Sequence, residues 1–172
     1  MQALINDLLQ FSRVTRKGNP FGETDMNEVL KISVAHLTAR IAENNATVLF
    51  GQMPKLQGDS MQLIRLFQNL IDNGMKFVKN KQPVITINTN EHDNEWEFTV
   101  ADNGIGIREE FKEKIFQIFQ RLHNETEYPG TGVGLAICKK IVDLHNGRIW
   151  FESNADGGTT FCFTVNKNLE TN

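Results

Sequence analysis

Three polar side chains, Asn69, Asn73 and Lys76, recur at intervals of four and three residues in a segment whose apolar residues have helical spacing. At about 100° per residue, they fall on one narrow stripe of a helix over residues 60–77. Amide oxygens are hard, neutral ligands suited to magnesium, and a lysine ammonium is a compact charge suited to phosphate. The stripe could also be an ordinary solvated face. Two asparagines one turn apart favour a ligand-binding role, because Asn is a poor residue for a helix interior.

A first glycine segment follows this stripe at residues 102–107, directly after an apolar strand. A carboxylate at a strand end beside glycines, here Asp102, can accept the exocyclic amine of an adenine. The base can enter because Gly104 and Gly106 carry no side chain to block it. Asn103-Gly104 could alternatively be a hairpin turn, but no partner strand follows it in the sequence.

A second glycine segment, residues 130–134, precedes an apolar helical pattern that begins near Gly132. Backbone N–H groups at such a helix N-terminus point toward an anion, which the helix dipole also favours. A dinucleotide-binding fold would need an apolar strand before these glycines, whereas residues 123–129 are polar. The sequence has no Walker-type phosphate loop. The two segments therefore predict the hinges of a lid over a nucleotide, and the long connector between them is expected to be mobile without ligand.

The remaining periodicity predicts the elements that must position these residues. Asp25, in Thr24-Asp25 with Glu28, and Asp59 are expected N-caps, and Gly147 is expected to be a left-handed C-cap. The order of elements predicts an α+β protein, an α/β sandwich with a mixed, mostly antiparallel sheet and helices on one face. Helices are expected over residues 1–16, 26–43, 60–77 and 132–146 and in part over 108–120, and strands over 47–50, 84–89, 96–101, 148–152 and 159–165.

Composition limits the classes of function. With 172 residues and 40% apolar residues, the chain can bury one solid core. A net charge of −3 disfavours nucleic acid as a partner. The apolar runs are too short to cross a bilayer and no leader is recognisable, so a cytoplasmic protein or fragment without membrane contact is expected. Cys138 and Cys162 share no metal-ligand spacing and are expected to be reduced core cysteines rather than a disulfide or a metal site.

Together these motifs resemble the catalytic and ATP-binding domain of two-component sensor histidine kinases, in the GHKL superfamily with gyrase, the Hsp90 chaperones and the MutL repair proteins. Residues 1–14, 118–123 and 128–147 are similar to the kinase region of phytochrome-type sensor kinases. The family's motifs correspond to residues 68–77 (N box), 102–107 (first glycine box), 116–119 (F box), 130–135 (second glycine box) and 158–161 (glycine-threonine motif). The resemblance implies a Bergerat-type fold with a mobile ATP lid. It also implies that residues 1–17 are the tail of the second dimerisation helix and residues 18–172 the catalytic domain.

The resemblance further implies roles for individual residues. Asn73 would coordinate Mg²⁺ bridging the ATP phosphates, with Asn69 on the metal or its water shell. Lys76 would contact phosphate, so Asn69 and Lys76 are the candidate catalytic residues. Asp102 would bind the adenine amine, and Thr160 would support the base pocket. The other candidate nucleotide contacts are Gly104, Gly106, Arg121, Gly130, Thr131, Gly132, Val133, Gly134 and Leu135.

Two of these implied roles have plain structural alternatives. Arg121, in the lid, could equally be a surface arginine. Phe116 and Phe119 would anchor the lid or dock on the partner helix, or they could be ordinary core aromatics at helical spacing.

None of the four histidines fits the family's phosphoacceptor position, and His145 stands near a helix end where a cation is favoured. The phosphoacceptor is therefore expected on a dimerisation helix outside these residues. Asn69 stands where gyrase-like ATPases have a glutamate general base, and losing such a base costs roughly 10²–10⁴ in the rate of water attack. The predicted reaction is γ-phosphoryl transfer to a histidine, with a response-regulator receiver domain as partner and a homodimeric parent kinase. The alternatives are a nucleotide-binding regulatory module without phosphotransfer and a clamp-type ATPase.

Overall fold

The computed structural model describes residues 2–15, 19–120 and 130–169. A 3₁₀ turn at Glu109–Phe111 stands in the connector where a partly helical segment was predicted. The helices are α1 (Gln2–Thr15), α2 (Met26–His36), α3 (Thr38–Glu43), α4 (Ser60–Lys76) and α5 (Gly134–Leu144). The strands are β1 (Gly22–Asp25), β2 (Thr47–Phe50), β3 (Lys55–Gly58), β4 (Val84–Glu91), β5 (Glu95–Asp102), β6 (Ile149–Ser153) and β7 (Thr159–Asn166).

The main sheet has five strands in the order β2-β4-β5-β7-β6. Strands β2 and β4 pair in parallel, and the other three pairings are antiparallel. Helix α4 packs on β4 and β5 and is flanked by α2 and α5, while β1 and β3 form a separate antiparallel pair. The predicted fold class, a mixed and mostly antiparallel sheet covered by helices, is confirmed.

The core lies between α4 and the sheet. Phe67 of α4 meets Phe98 of β5 and Phe163 of β7 edge-on, with ring centroids 5.9 and 5.4 Å away. The rings of Phe98 and Phe163 stack at 5.2 Å across neighbouring strands. Each of these fully buried rings contributes about 1.5–3 kcal/mol of hydrophobic free energy. The apolar face of α4 is thereby fixed on the sheet. The polar stripe of Asn69, Asn73 and Lys76 lies on another side of the helix, so it points away from this core.

Both predicted N-caps are present. The Asp25 carboxylate accepts the N–H of Asn27 at 2.9 Å, and the Asp59 carboxylate accepts those of Met61 and Gln62 at 3.0 and 3.3 Å. The C-cap prediction at Gly147 is wrong by one residue. Asn146 adopts the left-handed conformation, with φ +52°, which Asn tolerates better than most residues.

Gly147 is needed for a different reason. A Cβ at this position would stand 1.8 Å from the carbonyl oxygen of Thr164. The sequence correctly marks a glycine requirement there, but its cause is the close approach of the α5 C-terminus to β7.

His145, near the same helix end, is buried and neutral rather than a solvated cation. The Asp59 N–H donates to its Nε2 at 3.0 Å, so Nδ1 carries the proton and donates to the carbonyl of Ile141 at 2.8 Å. Burial lowers the pKa of His145 below its usual 6.5. The expectation of a favourable positive charge at this position is therefore wrong.

The predicted helix over residues 26–43 is two helices separated at Leu37, whose φ of −100° and ψ of 6° leave the helical region. Leu37 is buried at this break.

The short strands β1 and β3 were not predicted, because Gly22–Asp25 and Lys55–Gly58 carry no run of alternating apolar residues. None of the helices in the described ranges is long and apolar enough to cross a membrane.

Candidate functional site

A cavity of about 540 Å³ opens beside α4, between the two glycine segments. Its wall includes most of the residues that the sequence singled out. These are Asn69, Asn73, Lys76, Asp102, Gly106, Gly130, Thr131, Gly132, Gly134 and Leu135. Gly104 and Val133 are buried beside the cavity without forming its described wall, and Arg121 lies outside the described residues.

The polar stripe of α4 faces this cavity. The Asn69 side-chain amide donates to the carbonyl of Gly134, 3.4 Å away, and so reaches the second glycine segment. Lys76 is 21% exposed, and its Nζ lies 4.0 Å from the position that a Cβ on Gly130 would occupy. The stripe is therefore a cavity wall in contact with the glycine segment, and it is not an ordinary solvated helix face.

Asp102 also lines the cavity. Its Oδ1 accepts the N–H groups of Gly104 and Thr159, at 2.8 and 3.1 Å. Burial raises the pKa of Asp102 above 3.8, and the two backbone donors partly oppose that shift. Because both backbone donors use Oδ1, Oδ2 remains as the acceptor for a ligand in the cavity.

The first glycine segment is held against α4 rather than turning into a hairpin. The Ile105 N–H donates to the carbonyl of Phe77 at 2.8 Å, and a Cβ on Gly104 would stand 2.5 Å from that same oxygen. Gly106 has φ +81°, the left-handed conformation that glycine adopts without strain. Asn103, which the sequence did not single out, donates to Gln82 O and accepts from Val84 N, both at 2.9 Å.

The second glycine segment joins the connector to α5. Gly132 has φ +74°, and its carbonyl accepts the N–H of Phe119 at 3.0 Å. Val133 is fully buried and precedes α5, so it can offer a ligand only its backbone. Helix α5 begins at Gly134, two residues later than predicted. The first residue of α5 is therefore in direct contact with the Asn69 side chain at the cavity wall.

Phe116 and Phe119 differ in their surroundings. Phe116 packs edge-on against Phe161 of β7, with ring centroids 6.5 Å apart. Phe119 is 55% exposed and has φ +64°, a strained conformation for an aromatic residue. Phe116 is therefore packed as a core aromatic residue, whereas Phe119 exposes its ring to solvent.

Thr160 does not form the described cavity wall. Its hydroxyl donates to Asn154 Oδ1 at 2.7 Å, while the neighbouring Thr159 is buried, lines the cavity and donates its N–H to Asp102. The contact with Asp102 therefore comes from Thr159, and a supporting role for Thr160 in the base pocket stays a prediction. The donor is the Thr159 backbone, and the pairing of Ala101 with Thr160 across β5 and β7 brings that N–H next to Asp102.

Several residues of the cavity wall were not among the predicted nucleotide contacts, including Leu37, Arg40, Asp72 and Asp7. Leu37 and Arg40 come from the region of α3, and Asp72 lies on α4 one turn before Lys76. Asp7 comes from α1, where its carboxylate accepts a hydrogen bond from the Thr131 hydroxyl. The i,i+4 spacing of Asp72 and Lys76 was a usable signal. No local signal marked the other three, since only tertiary packing brings them to the cavity.

The donor set suits a magnesium ion that binds together with a nucleotide. No cluster of three or more His, Cys, Asp or Glu side chains that could hold a metal occurs within the described ranges. Magnesium commonly takes only one or two protein ligands when phosphate oxygens complete its shell. Asn73 and Asn69, which line the cavity on the same stripe as Lys76, provide such a partial set.

A mixed sheet covered by helices, with a cavity that a buried carboxylate and two glycine segments line, is the architecture of an ATP-binding domain of the Bergerat class. Residues 58–169 match the family model described as "Histidine kinase-, DNA gyrase B-, and HSP90-like ATPase". The chain belongs to this family, as its sequence motifs predicted.

Proteins with similar sequences show which members of this family the chain resembles. The chain is 48% identical over 165 residues to the "Phytochrome-like protein Cph1" of Synechocystis sp. and 47% identical to "Cyanobacterial phytochrome A" of Nostoc sp.. Both alignments cover 96% of this chain but 22% of the relative, so the chain spans about a fifth of the length of these proteins.

Solved structures agree with this assignment. The catalytic domain of histidine kinase ThkA superposes with a TM-score of 0.72 at 28% identity, covering 86% of this chain and 97% of that one. ThkA in complex with the response regulator protein TrrA gives a TM-score of 0.70 at 26% identity, covering 97% of this chain and 47% of that one. The chain is thus the ATP-binding catalytic domain of a sensor histidine kinase, and the prediction of that function is confirmed.

Proposed function

We propose that this domain binds ATP with Mg²⁺ and transfers the γ-phosphoryl group to a histidine on a dimerisation helix. The observation that carries the proposal is that the α4 stripe, the second glycine segment and Asp102 all line one cavity. The arrangement offers an acceptor for a purine amine, amides for a metal and a cation for phosphate.

Each residue has a role in positioning the nucleotide. Asp102 Oδ2 accepts the adenine amine, and Gly106 lets the base approach. Asn73 and Asn69 would hold the magnesium ion, and Lys76 would contact a phosphate. A bound Mg²⁺ would neutralise charge on the phosphate oxygens. The backbone at Gly132 and Gly134 lies at the start of α5, where an anion is favoured.

Asn69 supports phosphoryl transfer over hydrolysis. Its amide donates to the Gly134 carbonyl and cannot take a proton from water at neutral pH, so water attack gains no positioned base. Catalysis is then mostly alignment of the phosphoryl group with a better nucleophile, together with charge neutralisation.

We further propose a response-regulator receiver domain as the partner that receives the phosphoryl group from the histidine, supported by the ThkA–TrrA complex.

The parent protein is proposed to be a cytoplasmic homodimer. Residues 1–17 are proposed as the end of its second dimerisation helix. Helix α1 packs against α5 here, and several apolar side chains of α1 stay exposed, namely Ile5, Leu8 and Leu9.

The experiment supplies complete dimerisation helices in trans, with ATP labelled at the γ-phosphate. We expect acid-labile phosphate on the helices that depends on magnesium. An Asn73→Ala variant should lose most of this labelling, whereas Asn88→Ala, an exposed asparagine on β4, should retain it. ATP binding without labelling would favour a regulatory module, and fast release of inorganic phosphate would favour a clamp-type ATPase.

A further inference from the structure

A cation outside the recognised motifs lines the cavity. Arg40 of α3 places Nη1 2.6 Å from Asp72 Oδ1, and Lys76 places Nζ 2.9 Å from Asp72 Oδ2. One carboxylate therefore holds two cations on the same wall of the cavity. Together the three side chains carry a net charge of +1, which favours an anionic ligand there.

The order of side chains around α4 locates this group relative to Asp102. At about 100° per residue, the sequence of side chains around the helix is Gly74, Asn73, Asn69, Lys76 and Asp72. Gly74 touches the base anchor, because a Cβ added to it would lie 3.3 Å from the Asp102 Cβ. Asp72 is at the opposite edge of the stripe, and Arg40 lies beyond it. A nucleotide anchored at Asp102 would extend its distal phosphate toward this edge.

Arg40 has N–H donors available for a ligand. Asp72 Oδ1 is enclosed, yet it has no aligned hydrogen-bond donor among the described residues, so its contact with Arg40 is a charge attraction without hydrogen-bond geometry. The Arg40 side chain lines the cavity and is 47% exposed, so a ligand in the cavity can reach it. A guanidinium can also offer two parallel donors to the oxygens of one phosphate.

We propose that Arg40 is a ligand of the terminal phosphate of the nucleotide and that Asp72 is the positioning residue that keeps Arg40 and Lys76 at that end of the cavity. This inference rests on the proposed nucleotide site. It adds a specificity determinant, since a γ-phosphate ligand distinguishes a nucleoside triphosphate from a diphosphate. Arg40 belongs to none of the sequence motifs and lies on α3, the helix that follows the break at Leu37.

The test compares ATP and ADP, each with Mg²⁺, by titration calorimetry on the whole chain. Arg40→Gln should weaken ATP binding about tenfold while changing ADP binding less than about twofold, as expected for one lost charge-assisted contact. Arg40→Lys should recover part of the ATP affinity. The matched control is Arg148→Gln, an exposed arginine paired with Glu95 at 2.8 Å, and its affinities should equal those of the parent chain.

Equal losses for ATP and ADP, or no loss for either, would overturn the assignment of Arg40. Failure of the nucleotide site itself is a separate result, since the unmodified chain would then bind neither compound. The positioning role of Asp72 is tested by repeating Arg40→Gln in an Asp72→Asn background. The change in the ATP-to-ADP affinity ratio should be smaller there, and an undiminished change would remove Asp72 from the proposal.

Discussion

At the scale of single residues, Asp102 shows how a buried carboxylate is prepared for one ligand. Backbone donors from two different segments, at Gly104 and Thr159, converge on Oδ1. Oδ2 of this cavity-lining residue takes neither of these two donors. The arrangement also has an energetic cost, since burial of the charge raises the pKa of the group.

The Asp102→Asn variant should lower nucleotide affinity without lowering the free energy of unfolding. The amide oxygen must keep the two backbone donors, so the amide NH₂ group would face the adenine amine and place donor against donor. We expect nucleotide affinity to fall at least about tenfold, the cost of a lost hydrogen bond with an unpaired polar group. The free energy of unfolding at pH 7 should not fall, because the variant removes a buried charge.

The pH dependence provides the check on this variant. A carboxyl group whose pKa is raised by folding makes the protein less stable as pH rises through the window between 3.8 and the folded value. Urea unfolding of the Asn variant at several pH values should lack this decrease. A variant that binds ATP as the parent does would exclude Asp102 from the site.

At the scale of elements, His145 joins the C-terminus of α5 to the N-terminus of α4. Its ring accepts the N–H of Asp59, the residue that also caps α4, and packs against Phe21 with ring centroids 5.0 Å apart. The two helices that border the cavity are therefore connected through one neutral imidazole.

The stabilisation that neutral His145 provides should be lost at acidic pH. Because the pKa of His145 is lowered by folding, its contribution to stability is complete above the unfolded value of 6.5 and is lost as pH falls through the folded pKa. His145→Gln can keep both hydrogen bonds without titrating, so its free energy of unfolding should fall less between pH 6.5 and 5. Chemical denaturation at each pH measures this, with the half-exposed His92→Gln as control. Identical slopes for the parent and the His145 variant would contradict the expectation.

The contact between the first glycine segment and α4 leads to another prediction. Gly104→Ala would force a Cβ against the Phe77 carbonyl and separate the segment from the end of α4. Overpacking of this kind costs about 1–3 kcal/mol. We expect the free energy of unfolding to fall by about 2 kcal/mol, and nucleotide affinity to fall with it because Asp102 is displaced.

Gly51→Ala is the matched control, because no atom lies within 4 Å of the added Cβ. Its free energy of unfolding should stay within about 1 kcal/mol of the parent value. Equal behaviour of the two variants in urea unfolding would mean that the close contact at Gly104 has no energetic importance.

At the scale of the whole molecule, the two cysteines report on the integrity of the core. Both are free and buried, as the sequence predicted, and burial raises the pKa of each thiol to about 12. Since the thiolate is the reactive form, neither should react appreciably with a disulfide reagent at pH 8 while the domain is folded. In increasing urea, both should become reactive in the same transition that circular dichroism detects. Rapid reaction of either thiol before that transition would show local opening around it.

The sequence predicted the parts of this fold that rest on local patterns. Helix α4 has a cap at Asp59 and a long apolar face, and the β4–β5 and β6–β7 hairpins have clear turn residues. The break at Leu37 was not predictable in this way, since the apolar spacing continues through it. Strands β1 and β3 exist because they pair with each other, and neither segment has a strong strand pattern alone.

The candidate site likewise contains residues that local sequence patterns identify and residues that only tertiary contacts bring there. The glycine segments and the α4 stripe are motifs, so their residues could be found from spacing. Identifying Thr159 as the contact of Asp102 required the register of β7, and this strand is buried on both faces, so its apolar pattern gives no orientation. Arg40 and Asp7 reach the cavity from helices that are distant along the chain.

The wall of the cavity includes residues of α1, α3, α4, α5, β7 and both glycine segments. An unfolded chain cannot bring these parts together, so ATP would bind the native state almost exclusively. Ligand occupancy then adds to the free energy of folding, by about 2.7 kcal/mol when free nucleotide is 100-fold above its dissociation constant. A cell rich in ATP would thereby protect this domain from mild heat or from weakly destabilising substitutions, and starvation for nucleotide would expose it to proteolysis.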